Sequence, residues 1–236
     1  MEMIGLIGGM SWESSAMYYR LLNEGVRARL GPSASARCLL WSFDFAEIKA
    51  LQHRGAWSEL TRLMIGAARH LENAGANHIV ICTNTMHRMA DEIQAAISIP
   101  LLHIADPTAR NIGAMRLTRI GLLGTAFTME QDFYKGRLQR QYGLDVIVPD
   151  DDDRKDVHRI IYDELVAGQI RTESRALYRD IIARLVARGA EGVILGCTEI
   201  MLLVGPEDSE VPLFDTTALH VEAAIEAAIG ARPESL

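Results

Sequence analysis

The sequence predicts an α/β protein made of two pseudo-symmetric, doubly wound parallel-sheet domains with a ligand cleft between them. Three observations carry that expectation. Short β-branched runs alternate with longer amphipathic ones along the chain, the pattern of parallel strands joined by crossover helices. Glycines close the longer runs at Gly31, Gly75 and Gly189, as helix C-termini favour. The chain also repeats itself. Gly5-Leu6-Ile7-Gly8-Gly9 returns 116 positions later as Gly121-Leu122-Leu123-Gly124-Thr125. The segment Ala74-Gly75-Ala76-Asn77-His78-Ile79-Val80-Ile81 returns after 114 as Arg188-Gly189-Ala190-Glu191-Gly192-Val193-Ile194-Leu195, and Ile99-Pro100-Leu101-Leu102 returns after 112 as Val211-Pro212-Leu213-Phe214. Glycine-capped helices before apolar strands occur in any α/β protein and account for the second match alone. Three matches, in order and at nearly one offset, indicate a duplicated βα half.

Strands are expected at 3–7, 37–42, 78–82, 100–104, 119–123, 145–148, 192–196 and 211–214, with helices between them. The run 12–30 ends at Gly31-Pro32, a glycine followed by a residue that cannot continue a helix. The runs 57–74 and 172–188 stop at Gly75 and Gly189 in the same way. Four acids, Asp150 to Asp153, precede a helix and read as a solvated first turn favoured by the helix dipole rather than a metal site. The first domain is expected to hold residues 1–98 and 210–236, and the second residues 99–209.

Composition excludes several classes. The 236 residues are 49% hydrophobic and 23% charged, ample for a sizeable core. The formal net charge of -7 leaves no basic stripe to neutralise phosphates, so neither nucleic acid nor an anionic membrane is an expected partner. No apolar run reaches bilayer length, and the first residues enter structure without a charged leader and cleavage site. Cys38, Cys82 and Cys197 form an odd, widely spaced set, which is no disulfide framework and fits a reducing, cytoplasmic setting.

Ligands in open parallel sheets sit at the carboxyl ends of strands. The repeat makes Thr83, after the third strand, the counterpart of Cys197, 114 positions later. Two polar groups flanking a bound carbon from opposite sides are what stereochemical inversion requires. Around Thr83, four polar residues fall within five positions (Thr83, Asn84, Thr85, His87), more than helix capping demands. Cys197 stands in Gly196-Cys197-Thr198-Glu199, where a strand meets a helix N-terminus, a setting expected to lower the thiol pKa. Cys38 and Cys82, inside apolar strand runs, read as structural. The loops Gly8-Gly9-Met10-Ser11 and Gly124-Thr125-Ala126-Phe127-Thr128 could cradle an anion through backbone donors, though neither is a nucleotide fingerprint. Gln52-His53-Arg54 reads as a polar break before a helix, either a substrate contact or a solvated turn. His70, His78, His103, His158 and His220 have no partners at ligand spacing, so no metal site is expected. Met64, Met86 and Met89 read as ordinary core.

These segments together resemble the aspartate/glutamate racemase family. The resemblance spans essentially the whole chain and is carried by GLIGGMSWESS (5–15), CTNTMH (82–87), GLLGTAFTMEQDFY (121–134) and GCTEI (196–200). It implies a pseudo-symmetric two-domain fold, usually a homodimer, that interconverts the L- and D-enantiomers of a small-molecule amino-acid substrate, aspartate or glutamate, without pyridoxal phosphate, metal or other cofactor. The lysines, Lys49, Lys135 and Lys155, lie in charged stretches read as exposed, which suits no Schiff base. In the family two cysteines face the substrate Cα, one removing the α-proton and the other delivering a proton to the opposite face. Cys197 matches the second. The first is replaced, because the family's CNTxH pattern falls on Thr83-Asn84-Thr85-Met86-His87.

The resemblance makes Met10, Ser11, Gln52, Asn84, Thr85, Thr125, Thr128 and Thr198 substrate contacts, with His87 and Glu199 orienting or tuning the flanking groups. A hydroxyl is a far weaker acid than a thiol and a poor base, so turnover between the Cys197 and Thr83 sides is expected to be slow and asymmetric. Two other readings fit the same residues. A single cysteine suits a related isomerase or decarboxylase that protonates one face, and a binding module could keep the cleft while losing the chemistry.

Overall fold

The computed structural model describes residues 1–230. The described residues divide into two compact units, Met1–His103 with residues 220–230, and Ile104–Leu219. In the first unit the order is β1 (Ile4–Gly8), α1 (Trp12–Leu30), β2 (Cys38–Ser42), α2 (Phe45–His53), α3 (Trp57–Asn73), β3 (His78–Ile81), a 3-10 turn (Thr85–Met89), α4 (Ala90–Ala95) and β4 (Leu101–Leu102). The second unit runs α5 (Ala105–Ala114), β5 (Arg119–Gly124), α6 (Ala126–Glu130), α7 (Asp132–Tyr142), β6 (Asp145–Ile147), α8 (Asp151–Asp163), α9 (Thr172–Ala187), β7 (Gly192–Gly196), α10 (Ile200–Leu203), β8 (Leu213–Asp215) and the start of α11 (Thr216–Ile229).

Among the described residues, the first unit's sheet has the order β2-β1-β3-β4 and the second unit's β6-β5-β7-β8, all parallel. Numbered within its own half, each order is 2-1-3-4, so the sequence repeat is a repeat of topology. Local packing follows the same repeat. Gly5 and Gly121 leave room for the helix before the central strand: an added Cβ would lie 3.2 Å from Leu71 Cβ in one case and 3.5 Å from Leu185 Cβ in the other. Gly75 and Gly189 both take left-handed φ values, 95° and 91°, which glycine adopts without a Cβ clash. The following amides of Ala76 and Ala190 then reach Leu71 O and Leu185 O, each at 3.0 Å.

Both sheets are covered on both faces, which is why their central strands are apolar throughout rather than alternating. In the first unit Ile7, Ile79 and Ile81 pack with α2 and α3 residues such as Leu51, Leu60 and Met64. Ile4, Leu6 and Val80 pack on the other face against Tyr18, Leu22 and Ile225. In the second unit Leu123, Val193 and Leu195 meet Ile160, Tyr178 and Ile181, while Ile120, Leu122 and Ile194 meet Ile112, Tyr134 and Leu138.

The strands expected at 100–104 and 211–214 are shorter than read and belong to the preceding half. Val80 pairs with Leu102 in the first sheet, and Ile194 with Phe214 in the second. The units therefore divide at 103/104 and 219/220 instead of 98/99 and 209/210, because each half completes its own fourth strand before the chain leaves it. Residues 231–236, part of the expected first domain, lie outside the described residues. The helix Phe45–His53 had no counterpart in the sequence reading. Asp44 caps it, accepting from Ala46 N at 2.9 Å, and it carries Gln52-His53 as its last turn rather than as a polar break. The acids Asp150 to Asp153 do form the cap and first turn of α8, with Asp153 held by Arg184 through two bonds of 2.7 and 2.8 Å. No helix among the described residues is long and apolar enough to cross a membrane.

Candidate functional site

In the first unit the predicted residues gather at the carboxyl ends of β1 and β3. The β1–α1 loop turns at Gly9, with φ of 78°, and an added Cβ there would lie 2.2 Å from Phe43 O. Ser11 caps α1, its Oγ accepting from Ser14 N at 3.3 Å. Ser15 Oγ accepts from Gly9 N at 2.8 Å and donates to Ser11 O at 3.0 Å. Ser14 Oγ donates to Cys82 O at 2.8 Å, tying this helix start to the residue before Thr83. Met10 is buried in the apolar cluster with Ile48 and Leu51, so its side chain is part of the core. Gln52 is also buried, its Nε2 3.4 Å from Met86 Sδ, which draws the end of α2 against the 84–87 turn. Asn84, Thr85 and His87 are buried while Thr83 is half-buried. His87 Nδ1 lies 2.8 Å from Thr83 O.

The second unit builds the matching turn from α6, β7 and α10. Thr125 caps α6, accepting from Thr128 N at 3.3 Å, and the two hydroxyls are 3.2 Å apart. Gly124 pairs with Gly196 at the end of β5 and β7. The approach is close: a Cβ on Gly124 would sit 2.9 Å from Gly196 O, and one on Gly196 would sit 3.5 Å from Thr128 Cγ2. Cys82 N continues the equivalent pairing in the first unit, reaching Ile7 O at 2.9 Å. Thr83 and Cys197 thus each stand one residue beyond the last paired residue of their central strand, half-buried between buried neighbours.

The electrostatics of Cys197 overturn one expectation. Burial pushes its thiol well above the ordinary range, and the Glu199 carboxylate pushes it further; backbone N–H groups of Glu199 and Thr198 oppose this only in part. The helix beyond it, Ile200–Leu203, is one turn long, and the residue at its start is that acid. Helix-terminus stabilisation of a thiolate therefore loses to desolvation and a like charge. The thiol donates to Glu199 Oε2 at 3.0 Å, and the Thr198 hydroxyl donates to the same oxygen at 2.7 Å. Burial raises Cys38, and raises Cys82 more strongly, as fits structural thiols.

Tyr162 packs in one apolar cluster with Cys197 and has no place in the expected site, and His158, expected only to bind no metal, lies beside it. His158 and Tyr162 lie one turn apart on α8, ring centroids 4.7 Å apart. His158 Nδ1 accepts from Ala126 N at 3.1 Å, which ties α8 to the Thr125 loop. Tyr162 is held protonated by burial and by the nearness of Cys197 and Glu199. Their i, i+4 spacing was the available signal, masked by the charged run that opens the helix. Lys49 and Lys135 are half-buried rather than exposed. A cavity of about 650 Å³ beside α8, lined by Val148, Asp150, Asp153, Arg184 and Arg188, holds none of the predicted site residues.

Fold and site together define a duplicated α/β protein whose strand-end turns carry a hydroxyl in one half and a thiol–carboxylate pair in the other. A family model described as Asp/Glu/hydantoin racemase matches residues 7–224. A crystal structure from Yersinia pestis, there assigned to the Asp/Glu racemases, is 53% identical, with 98% of this chain and 100% of that one covered and a TM-score of 0.91. An aspartate racemase homologue from Pyrococcus horikoshii is 34% identical over 98% and 100% of the two chains, with a TM-score of 0.84. The broad specificity amino-acid racemase RacX of Bacillus subtilis is 24% identical over 94% of this chain and 96% of its own length. The chain belongs to the Asp/Glu/hydantoin racemase family.

Proposed function

We propose that this protein is a cofactor-independent amino-acid racemase that interconverts the enantiomers of aspartate or glutamate, with Cys197 and Thr83 serving opposite faces of the substrate Cα. The observation that carries the reading is the Cys197–Glu199 pair, at the position equivalent to Thr83 in the duplicated fold. A thiol raised by burial and a carboxylate is poor at abstracting protons by itself. The α-ammonium of a bound amino acid would favour the thiolate, and Glu199 Oε2 is placed to receive the thiol proton. The thiolate then takes the α-proton: the Cα–H bond breaks, S–H forms, and the electron pair stays on the carbanion as an enediolate.

Donors that hold the α-carboxylate stabilise that charge. Loop backbone at Met10, with Ser11, Gln52, Asn84, Thr85, Thr125, Thr128 and Thr198, are the proposed contacts. Protonation from the Thr83 side forms the new Cα–H bond as the hydroxyl takes a proton from an adjacent water. The hydroxide left is neutralised by the proton first moved to Glu199, and the formula of the amino acid is unchanged. A homodimer is the proposed assembly. The test is α-proton exchange in deuterium oxide for L- and D-aspartate and glutamate, followed by NMR beside optical inversion. Exchange lost in Cys197→Ala supports the thiol as base. Release of carbon dioxide would instead favour a decarboxylase, and binding without exchange a binding module.

A further inference from the structure

Behind Thr83, within the first unit, lies a buried cluster that the reaction scheme does not use: His87, His103, His220 and Tyr18. They come from the 3-10 turn, the segment after β4, α11 and α1, and are at most 7% exposed. The rings of His87 and His103 are 4.6 Å apart and those of His87 and His220 5.7 Å, while Tyr18 stands edge-on to His220 at 5.8 Å. The hydrogen bonds assign the ring protons. A carbonyl only accepts, so His87 donates Nδ1–H to Thr83 O at 2.8 Å, and His220 donates Nε2–H to Leu102 O at 2.8 Å. In its neutral form His220 therefore accepts at Nδ1 from the Tyr18 hydroxyl, 2.9 Å away.

Three imidazoles in van der Waals range are a costly use of a core, since each brings two polar nitrogens that must be satisfied. Here they form a tier between α1, β4 and α11 on one side and the Thr83 carbonyl on the other. We propose that this tier is a positioning device for the Thr83 hydroxyl: Tyr18 orients His220, His220 and His103 fence the His87 ring, and His87 holds the Thr83 carbonyl and so the turn that presents the side chain. A threonine needs such support more than a cysteine would. Its hydroxyl is a weak acid, and proton transfer through it depends on alignment with carbon and water. The proposal deepens the racemase reading and rests on it for the role of Thr83.

Tyr18→Phe tests it with one atom removed. Amide hydrogen exchange of the ligand-free protein reads the turn directly, because His87 N is bonded to Asn84 O at 3.1 Å. The expected result is about tenfold faster exchange at the His87 amide with the β1 and β3 amides unchanged. Inversion is expected to fall about tenfold relative to α-proton exchange at Cys197. His87→Asn, whose amide nitrogen can replace Nδ1–H, should retain inversion better than His87→Gln, which replaces Nε2. Unchanged turn amides in Tyr18→Phe overturn the proposal. So does a uniform rise at all amides with parallel loss of exchange and inversion, which marks a merely structural role. Thr83→Val separates this from the parent reading: inversion that survives it removes Thr83 from the reaction, while the amide data still judge whether the tier holds the turn.

Discussion

The Cys197 thiol and the Glu199 carboxylate are joined by a 3.0 Å hydrogen bond, and the same carboxylate raises the thiol above its usual range. Tuning and proton acceptance therefore reside in one side chain. Removing its charge should separate them. Glu199→Gln is expected to bring thiolate formation to lower pH, because the thiolate is no longer opposed, and to make kcat/KM rise with pH, because the thiol must then lose its proton to solvent. Maximal kcat should fall by about 100-fold or more, as for loss of a positioned base. An ultraviolet thiolate titration beside the rate profile checks both halves; an unmoved thiolate titration would deny the coupling.

In the unmodified protein the transfer from Cys197 to Glu199 leaves the number of bound protons unchanged, so kcat/KM is expected to be level between neutral and mildly alkaline pH. A profile that rises with pH there would mean that the thiol loses its proton to solvent and would contradict transfer to Glu199.

Thr83→Cys should raise turnover in the slower direction by about tenfold or more and bring the two directions closer together. A thiol at that position can abstract as well as donate a proton, whereas the hydroxyl is a poor base. Progress curves started from each enantiomer measure this. Cys197→Ala should abolish α-proton exchange in both directions and leave binding of the amino acid within a few-fold, because the proposed carboxylate contacts do not include the thiol.

Stability should fall at alkaline pH. Cys82, Cys197, Tyr134, Tyr162 and Tyr178 are all pushed upward chiefly by burial. A folded-state pKa above the unfolded one means that the native state holds protons that the unfolded chain releases. Their contribution is complete below the ordinary thiol pKa of about 8.5 and is lost as pH rises above it. Chemical unfolding at neutral pH and at successively alkaline pH should show falling midpoints, with a shallower decline in Cys82→Ala than in the parent.

Two glycine substitutions should have opposite signs. Gly66 in α3 has open space where a Cβ would project, so Gly66→Ala should stabilise by about 0.5–1 kcal/mol through helix propensity. Gly124→Ala would force its Cβ to 2.9 Å from Gly196 backbone and should destabilise by about 1–3 kcal/mol. It should also lower kcat, since it separates the Thr125 loop from the strand that ends at Gly196, just before Cys197. Denaturant midpoints and rates on both variants decide the matter.

Local chemistry repeated at a fixed spacing was readable from the chain alone. Glycines 75 and 189 need left-handed backbone, and the apolar runs between them and the next turn have nowhere to go but a covered sheet. Those constraints act within a few residues, so the parallel α/β character, the duplication and the equivalence of Thr83 with Cys197 were determined by sequence. What surrounds those two residues was decided by tertiary structure. Leu101–Leu102 and Leu213–Asp215 take their sheets from pairing with β3 and β7, which short apolar segments do not specify. The thiol of Cys197 is raised because folding buries it beside Glu199, and desolvation depends on everything packed around a group, not on its neighbours in sequence. The partners Tyr18, His87, His103 and His220 are spread over some two hundred positions and share no spacing. Only the closure of α1, β4 and α11 around the Thr83 turn brings four isolated polar residues into one packed tier.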